Sequence, residues 1–419
     1  MIPRRLSGDR RLSRYVVRTR RHGREVLYDT VSGAVLPAVA DEPDLEAAGM
    51  LAGQESATLW SRLTRTRREL ALTLVVTWEC NLRCTHCSVR DKLRREDPYR
   101  IPADSLKAFV RDYRRAHPTS ERLSVSLLGG EPLLQPASCA ELIRATRGLF
   151  AHERFSITTN LAPVLERPHL EALSQLDEIV VSIDGLEEAH NEQRKAYRAS
   201  FNPFQRTMEN LGRLQEAGLV ERVNVQGAIR DDFADGEGVV RLGVPYDQIR
   251  FDTIHPAERG LEVQQSFLES LRYPLLRREP CCKFRGGSSL VIGSDGQIYS
   301  DFYTWECLGH LEDGPDRIAE AQRELTRRTM PALKDPGCLE CPVIGFCWGG
   351  CVNGHLVVGD RPSAFCGQQA LIERVQGLAA RGELIEAEEN RGAVGTAAHD
   401  PRIDPATAPG NAGRGSGPS

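Results

Sequence analysis

An alternation of short apolar segments with amphipathic segments across residues 71–275 limits this chain to few folds. The apolar segments predict six strands, at 72–77, 123–128, 155–159, 178–183, 222–228 and 248–253, and helical patterns lie between them near 104–115, 138–150, 165–174, 204–217 and 236–242. Six β/α repeats imply a parallel sheet with right-handed crossovers. Because six units do not complete an eight-stranded barrel, we expect an α/β fold, a partial (β/α)6 TIM-like barrel whose open side admits a large substrate.

The regions that flank this barrel have different patterns. Residues 1–70 predict a small β-hairpin region, with strands at 15–19 and 25–30, a turn at His22-Gly23 and a helical stretch at 41–69. Residues 276–385 predict a cysteine-rich domain that ends in a helix at 368–389, and the Gly-, Ala- and Pro-rich tail at 386–419 is expected to be disordered. The predicted division is therefore 1–70, 71–275, 276–385 and 386–419.

Charge and hydropathy exclude several classes of partner. The chain has 419 residues, a formal net charge of −4 and interspersed charges, which give no electrostatic case for nucleic acid. The arginine-rich start is followed by no apolar h-region, and no apolar run approaches the roughly 20 residues that span a bilayer. We therefore expect no membrane association and a cytoplasmic location.

The cysteines are clustered. Apart from Cys139, which we expect to be a buried apolar side chain, the twelve cysteines fall into three groups: Cys80, Cys84 and Cys87; Cys281, Cys282 and Cys307; and Cys338, Cys341, Cys347, Cys351 and Cys366. Gaps of two to five residues in a chain without an export signal indicate metal ligation in a reducing compartment and not disulfides.

The first group, in the spacing C-x3-C-x2-C, directly follows the first predicted strand of the barrel. Three close thiolates can hold three irons of a four-iron cluster and leave the fourth iron without a protein ligand. An open metal position distinguishes a catalytic site from a closed structural one. Taken alone, the same triplet also suits zinc or half of a ferredoxin site.

This spacing resembles the signature of the radical S-adenosylmethionine (SAM) enzymes. The resemblance implies that Cys80, Cys84 and Cys87 hold a [4Fe-4S] cluster whose open iron chelates the amino and carboxylate groups of SAM. It also implies that a flavodoxin- or ferredoxin-type donor reduces the cluster, and that SAM then yields a 5′-deoxyadenosyl radical that removes hydrogen from an unactivated C–H bond.

Further motifs fall at the carboxyl ends of the next strands, where barrel enzymes place their chemistry. Gly129-Gly130-Glu131-Pro132 resembles the GGEP motif of the family, in which the backbone accepts hydrogen bonds from the SAM amino group. The resemblance implies cofactor contacts for eight residues: Gly129, Gly130, Glu131, Pro132, Asn160, Ser182, Asp184 and Arg194. Ordinary glycine-turn and helix-cap chemistry are the alternative roles. His86 could stack near the adenine or simply pack within its loop.

The downstream cysteines resemble the SPASM extension of radical SAM maturases. The pattern is Cys338-x2-Cys341-x5-Cys347-x3-Cys351, then Cys366, with thirteen residues between Cys282 and Gly296. By this resemblance Cys338, Cys341, Cys347 and Cys366 hold an outer auxiliary cluster, and Cys282 and Cys351 hold an inner one. Where the family has a further cysteine this chain has Asp301, so Cys281, Asp301 or Cys307 completes the inner cluster, or Asp301 is a catalytic base near the substrate.

Three functions remain open at this stage. The first is modification of a ribosomally made precursor peptide, by crosslink, thioether, epimerisation or oxidation. The others are oxidation of a protein side chain, as in sulfatase maturases, and dehydrogenation or rearrangement of a small natural-product precursor. Residues 26–33 resemble the strand-rich N-terminal segment of many peptide maturases, and such a hairpin could bind a leader by strand addition or cap the barrel. The peptide hypothesis is the one that the sequence favours.

Overall fold

The structure is a computed structural model, and it describes residues 12–64, 69–87, 89–229, 249–253, 288–302, 305–329, 340–342, 344 and 368–382. Several predicted features lie outside the described residues. These are the helix at 236–242, the tail, and six of the cysteines: Cys281, Cys282, Cys338, Cys347, Cys351 and Cys366.

The described chain forms twelve strands and nine α-helices. The strands are β1 (Val16–Arg21), β2 (Arg24–Asp29), β3 (Val35–Pro37), β4 (Glu69–Thr77), β5 (Arg122–Gly129), β6 (His152–Thr159), β7 (Glu178–Ser182), β8 (Val223–Ile229), β9 (Ile249–Thr253), β10 (Ser289–Ile292), β11 (Gln297–Tyr299) and β12 (Cys307–His310). The helices are α1 (Glu42–Ala47), α2 (Glu55–Thr64), α3 (Ala103–Ala116), α4 (Pro136–Thr146), α5 (Arg167–Leu173), α6 (Glu187–Gln193), α7 (Pro203–Glu216), α8 (Pro315–Thr329) and α9 (Gln368–Arg381).

The main sheet has nine strands in the order β12-β11-β10-β4-β5-β6-β7-β8-β9. The six predicted barrel strands are β4 to β9, and every neighbouring pair among them is parallel. Because these strands follow sequence order, right-handed crossovers place their helices on one face of the sheet, as in a barrel and unlike a doubly wound sheet. The strand β10 adds to the free edge of β4 in parallel, and β11 and β12 continue from it as antiparallel strands.

The two faces of this sheet differ in character. One face packs its Leu, Val and Ile side chains against Phe109 of α3, Ile143 of α4 and Leu173 of α5, forming one continuous core. The opposite face is more polar and, outside β7, largely half-buried; its side chains include Ser124, Ser126, Ser156, Thr158, Asn224 and Gln226. In parallel sheets covered on both faces the strands are apolar throughout. The alternation seen here therefore leaves one face open to a polar ligand.

A second, three-stranded sheet has the order β1-β2-β3. The predicted turn at His22-Gly23 is confirmed: the two residues have φ angles of 49° and 77°, the pair of left-handed conformations that a two-residue hairpin turn requires. The sequence did not predict β3, which is only three residues long and ends in Pro37. This sheet contacts the C-terminal part of the chain, since Thr30 Oγ1 donates to the carbonyl of Pro342 at 3.3 Å and Thr19 Oγ1 to that of Ala379 at 3.1 Å.

Within the described residues, every helix is too short or too polar to cross a bilayer.

Candidate active site

The loop 80–87 leaves the carboxyl end of β4, beside the ends of β5, β6 and β7 in the sheet. Its three thiols, Cys80, Cys84 and Cys87, are all reduced and half-buried. Burial raises the pKa of the Cys80 thiol, and the negative charge of Glu131 raises it further. Buried thiols of this kind become thiolates only when a cation compensates their charge, and metal ligation supplies one.

Two glycines bring the end of β5 directly against this loop. Gly129 has a φ of 150°, and a Cβ there would lie 2.3 Å from the carbonyl oxygen of Thr77. A Cβ on Gly130 would lie 2.1 Å from the carbonyl oxygen of Glu79, and 3.1 Å from the Cβ of Cys80. No real side chain tolerates such distances, so both positions require glycine for the two chain segments to touch.

Glu131 connects the end of β5 to the end of β6. Its carboxylate accepts hydrogen bonds from Thr159 Oγ1 at 2.6 Å, from the N–H of Asn160 at 2.7 Å and from the N–H of Leu133 at 3.0 Å. The side chain is 1 % exposed, and this burial raises the pKa of Glu131 to about 7. The glutamate of the motif is therefore an internal brace between two strand ends in this structure.

Asn160 continues that brace into the cysteine loop. Its Nδ2 donates to Oδ1 of Asn81 at 2.9 Å, and its Oδ1 accepts from the N–H of Ala162 at 2.9 Å. Its backbone carbonyl accepts from Oγ1 of Thr207 on α7 at 2.9 Å. The sequence suggested Asn160 as a cofactor contact, but it gave no sign of the bond to Asn81, which lies 79 residues away.

On the opposite side, the loop contacts the segment that follows α6. The N–H of Arg83 donates to the carbonyl of Lys195, and the N–H of Thr85 donates to the carbonyl of Gln193, both at 2.8 Å. Leu82 forms an antiparallel bridge with Ala196. We call residues 193–196, which pair with residues 82–85, the cysteine-loop strap.

Arg194 and Asp184 form a buried ion pair beside Cys84. The Asp184 carboxylate is fully buried and lies 2.9 Å from Nη2 and 2.8 Å from Nε of Arg194. Burial raises the pKa of the Cys84 thiol, while the positive charge of the Arg194 guanidinium acts in the opposite direction. Asp184 and Arg194, for which the family resemblance implied contacts with SAM, thus lie together beside Cys84, a predicted iron ligand.

Two histidines complete the surroundings of Asp184. His86 Nε2 lies 3.5 Å from the Asp184 carboxylate, and Nδ1 of His190 accepts the N–H of Asp184 at 3.4 Å. Burial lowers the pKa of His190 to about 4, so its ring is neutral at physiological pH. Sequence reasoning missed His190, although its position four residues before Arg194 places both on one helical face.

The remaining cofactor candidates lie at the same edge of the sheet. Ser182 is the last residue of β7 and is 9 % exposed. Pro132 is buried and begins a short 3-10 turn, Pro132–Leu134, and its carbonyl accepts from the Cys139 thiol at 3.3 Å. Cys139 itself is buried in the apolar core, as the sequence predicts.

Asp301 lies in the connection between β11 and β12, which packs beside the cysteine loop. It is 3 % exposed, and its carboxylate accepts from Ser300 Oγ at 2.7 Å. In the same connection, Trp305 has a φ of 53°, a left-handed conformation that bulky residues rarely adopt. This places its ring 5.0 Å from that of Trp78, in a cluster that also includes Cys87.

Two of the predicted auxiliary ligands are described. Cys307 is exposed at the start of β12, and its thiol lies 3.6 Å from Oε1 of Gln297. Cys341 is buried near Tyr15 of the N-terminal region, where burial raises the pKa of the Tyr15 hydroxyl to about 12 and the charge of Cys341 is one of the smaller contributions.

The three thiols of the loop lie beside a stretch of backbone that carries no side chains. A tetrahedral zinc site holds its ligands about 2.0–2.3 Å from one metal ion. Ligands of a four-iron cluster bind separate irons and lie farther apart. Three thiols in one loop, against a backbone kept free of side chains by Gly129 and Gly130, fit a cluster with an adjoining ligand.

Comparison with known proteins agrees with this geometry. Residues 74–228, which contain the cysteine loop and the ends of β5 to β7, match the family model of the radical SAM superfamily. This part of the chain is therefore similar to a radical SAM superfamily domain. That family implies a [4Fe-4S] cluster and SAM as cofactors.

Curated relatives resemble only part of the chain. GTP 3′,8-cyclase 2 of Mycobacterium bovis is 34 % identical over 122 residues, which are 28 % of this chain and 32 % of that protein. The YfkA protein of Bacillus subtilis is 28 % identical over 152 residues, 34 % of this chain and 39 % of that protein. The chain thus spans between about a third and two fifths of the length of these relatives.

A solved structure shares the fold over a longer stretch. The structure of native anSMEcpe with bound AdoMet and the Cp18Cys peptide superposes with a TM-score of 0.55 at 18 % identity, covering 77 % of this chain and 99 % of that one. At this identity the likeness establishes the shared fold alone.

Proposed function

We propose that this chain is a radical SAM enzyme in which Cys80, Cys84 and Cys87 hold a [4Fe-4S] cluster and the open iron binds SAM. The observation that carries the proposal is the position of the three thiols, in one loop at the carboxyl end of β4, between the glycine pair of β5 and the cysteine-loop strap. When bound, the cluster and SAM supply one-electron cleavage to a radical that abstracts hydrogen from a substrate.

The chain's own residues hold and orient these cofactors. Glu131 and Asn160 fix the loop from the side of β5 and β6, and the Asp184–Arg194 pair fixes it from the side of β7. Gly129, Gly130, Pro132 and Ser182 line the same edge of the sheet and are our proposed SAM contacts. The bulky side chains of Trp78 and Trp305 exclude water on the flank of Cys87.

For the C-terminal part we propose a SPASM-like domain, approximately residues 276–385, with one or two auxiliary clusters. Its proposed ligands are Cys281, Cys282, Cys307, Cys338, Cys341, Cys347, Cys351 and Cys366. Asp301 is either an additional ligand or a base near the substrate, and its buried position in the connection beside Trp305 is compatible with both roles.

For the substrate we propose a ribosomally made precursor peptide, and for the reductant a flavodoxin- or ferredoxin-type protein. Three observations support a peptide. The polar face of the sheet is half-exposed outside β7, a separate N-terminal sheet is present, and a protein of the same fold has a peptide in its solved structure. Strand addition to the N-terminal sheet would use an edge strand, either β1, against which α9 packs, or the three-residue β3.

A small molecule is the second candidate. It is favoured by the local similarity to a GTP 3′,8-cyclase, a protein named for a reaction of a nucleotide. Turnover of a nucleotide or a sugar without any binding of peptide would select this alternative.

The proposed function is tested by metal content and SAM cleavage. After anaerobic reconstitution we expect up to three clusters of four irons, about twelve irons per chain. Replacing Cys80, Cys84 and Cys87 together by Ala should abolish 5′-deoxyadenosine formation and leave the auxiliary iron, whereas Cys139→Ala should change neither. Stoichiometric zinc with little iron, or equal SAM cleavage by the triple variant, would refute the proposal.

A further inference from the structure

The cysteine-loop strap places one residue directly opposite Cys84. The bonds from Arg83 to Lys195 and from Thr85 to Gln193 belong to one antiparallel register. Cys84 lies between these two bonds on the cysteine loop, and Arg194 lies between them on the other segment, so the two residues are neighbours across the strap.

The side chain of Arg194 is held in a fixed orientation. Both its Nη2 and its Nε contact the carboxylate of Asp184, at 2.9 Å and 2.8 Å, which is the two-pronged geometry that a guanidinium forms with a carboxylate. Asp184 is fully buried, and the ring of His190 accepts its backbone N–H. The Arg194 side chain is only 12 % exposed. Its charge therefore has little freedom to turn towards water.

A guanidinium has five N–H donors, so its contacts with Asp184 leave others for a second acceptor. Cys84 lies across the strap from Arg194, and the positive charge of Arg194 is among the influences that lower the pKa of this thiol. Lysine has the same charge but lacks the planar fork, and cannot hold a carboxylate and a sulfur in the same way.

We propose that Arg194, oriented by Asp184 and the strap, donates a fixed charged hydrogen bond to the sulfur of Cys84 and thereby raises the reduction potential of the cluster. The physical reason is that reduction adds negative charge to the cluster, and a positive donor at a ligand sulfur stabilises the reduced state. Arg194 is in this sense a positioning residue that acts through Cys84. The inference rests on the proposed function, because it assumes that Cys84 ligates iron.

The test is a potentiometric titration of the full chain, reconstituted anaerobically and followed by electron paramagnetic resonance without SAM. Separate addition of SAM identifies the relevant cluster, because only the signal of the cluster with the open iron should change. Arg194→Gln should shift the midpoint potential of that cluster to more negative values, and Arg194→Lys should shift it in the same direction by less.

Arg83→Gln is the matched control. Arg83 belongs to the same ladder, and its Nε donates to the carbonyl of Ala196 at 3.2 Å, but its exposed side chain does not lie opposite Cys84. The midpoint potential of the cluster in Arg83→Gln should equal that of the wild type.

The outcomes separate the two proposals. A wild-type protein without a SAM-responsive cluster would refute the proposed function, and this inference with it. If the cluster is present and the Arg194→Gln and Arg194→Lys variants both keep the wild-type potential, the inference alone is wrong. If Arg194→Gln does not retain the cluster, the midpoint potential of Arg194→Lys decides the question, because this variant keeps a positive charge at position 194. A wild-type potential in Arg194→Lys would then refute the inference.

Discussion

At the scale of single residues, buried carboxylates determine the geometry of the cysteine loop. Glu131 accepts three hydrogen bonds. Asp184 accepts one from Nη2 of Arg194, and its second oxygen lies 2.8 Å from Nε of the same guanidinium. Both side chains are almost inaccessible to solvent. A buried donor that loses its acceptor costs about 1–3 kcal/mol. These two side chains therefore stabilise the fold at the same points where they position the predicted iron ligands.

We predict that Glu131→Gln lowers the free energy of unfolding by about 1–3 kcal/mol, because the amide NH2 faces a donor that then has no acceptor. It should also lower iron retention on gel filtration, since the link from Glu131 through Asn160 to Asn81 is weakened. Glu153→Gln is the control. Glu153 accepts hydrogen bonds from the N–H groups of residues 148–150, at the other end of β6. Glu153→Gln should therefore lower the free energy of unfolding without loss of iron.

The pH dependence gives a further readout of the same substitution. Burial raises the pKa of Glu131 from 4.5 to about 7, so between these values the folded chain binds a proton that the unfolded chain has released. The stabilisation that the protonated Glu131 side chain contributes to the folded wild-type chain is therefore fully present below pH 4.5. It is lost as the pH rises towards 7. The difference in unfolding free energy between wild type and Glu131→Gln should narrow from pH 5 to pH 8, and a constant difference would contradict this account.

At the scale of elements, the glycine pair at the end of β5 lets two neighbouring strands approach closely beyond their last paired residues. The N–H of Gly130 donates to the carbonyl of Thr77 at 2.9 Å, and the N–H of Glu131 to that of Glu79 at 2.8 Å. The ladder between β4 and β5 is in this way continued into the cysteine loop, so the position of the loop follows from the position of the sheet.

We predict that Gly130→Ala displaces the loop and abolishes binding of the SAM-responsive cluster, because its Cβ would lie 2.1 Å from a backbone oxygen. Iron content and 5′-deoxyadenosine formation measure the effect. Gly212→Ala in α7 is the control: its Cβ meets nothing within 4 Å, so it should leave iron unchanged and stabilise the helix by about 0.5–1 kcal/mol. Full iron in Gly130→Ala would show that the loop adapts without the glycine.

At the scale of the whole molecule, the two ends of the described chain lie together. Thr30 and Thr19 of the N-terminal sheet donate to the carbonyls of Pro342 and Ala379, and Arg14 forms an ion pair with Glu340. Pro342 and Glu340 flank Cys341, one of the proposed auxiliary ligands. The N-terminal sheet therefore supports the cysteine-rich region, in addition to any part that it has in binding a peptide.

We predict that deletion of residues 1–65 lowers the iron content by about one cluster of four irons, while SAM cleavage at the first cluster persists. The double variant Thr19→Val, Thr30→Val keeps the sheet and removes both hydroxyl donors, and should weaken retention of the same iron. Full iron in the deleted protein, combined with loss of peptide turnover, would mean that the sheet serves recognition alone.

The order of the main strands along the chain could be predicted from local sequence patterns. The alternation of apolar and amphipathic segments predicted β4 to β9. The dipeptide His22-Gly23 predicted the hairpin turn, where the structure has two left-handed residues. The motifs lie together because the carboxyl ends of parallel strands meet at one edge, which is a consequence of topology alone. The short elements β3 and α6 were missed, since three and seven residues are too few to establish a period.

Contacts between distant segments were decided only by the tertiary structure. Nothing local in the sequence pairs β10 with β4, Glu131 with Thr159, or the strap with the cysteine loop. Hydrophobic periodicity records which face of an element is buried, but not which side chain meets which across a sheet edge or a loop. Cys84 is recognisable as a metal ligand from its spacing, whereas the arginine opposite it, 110 positions later in the sequence, is placed by the path of the chain through β7 and α6.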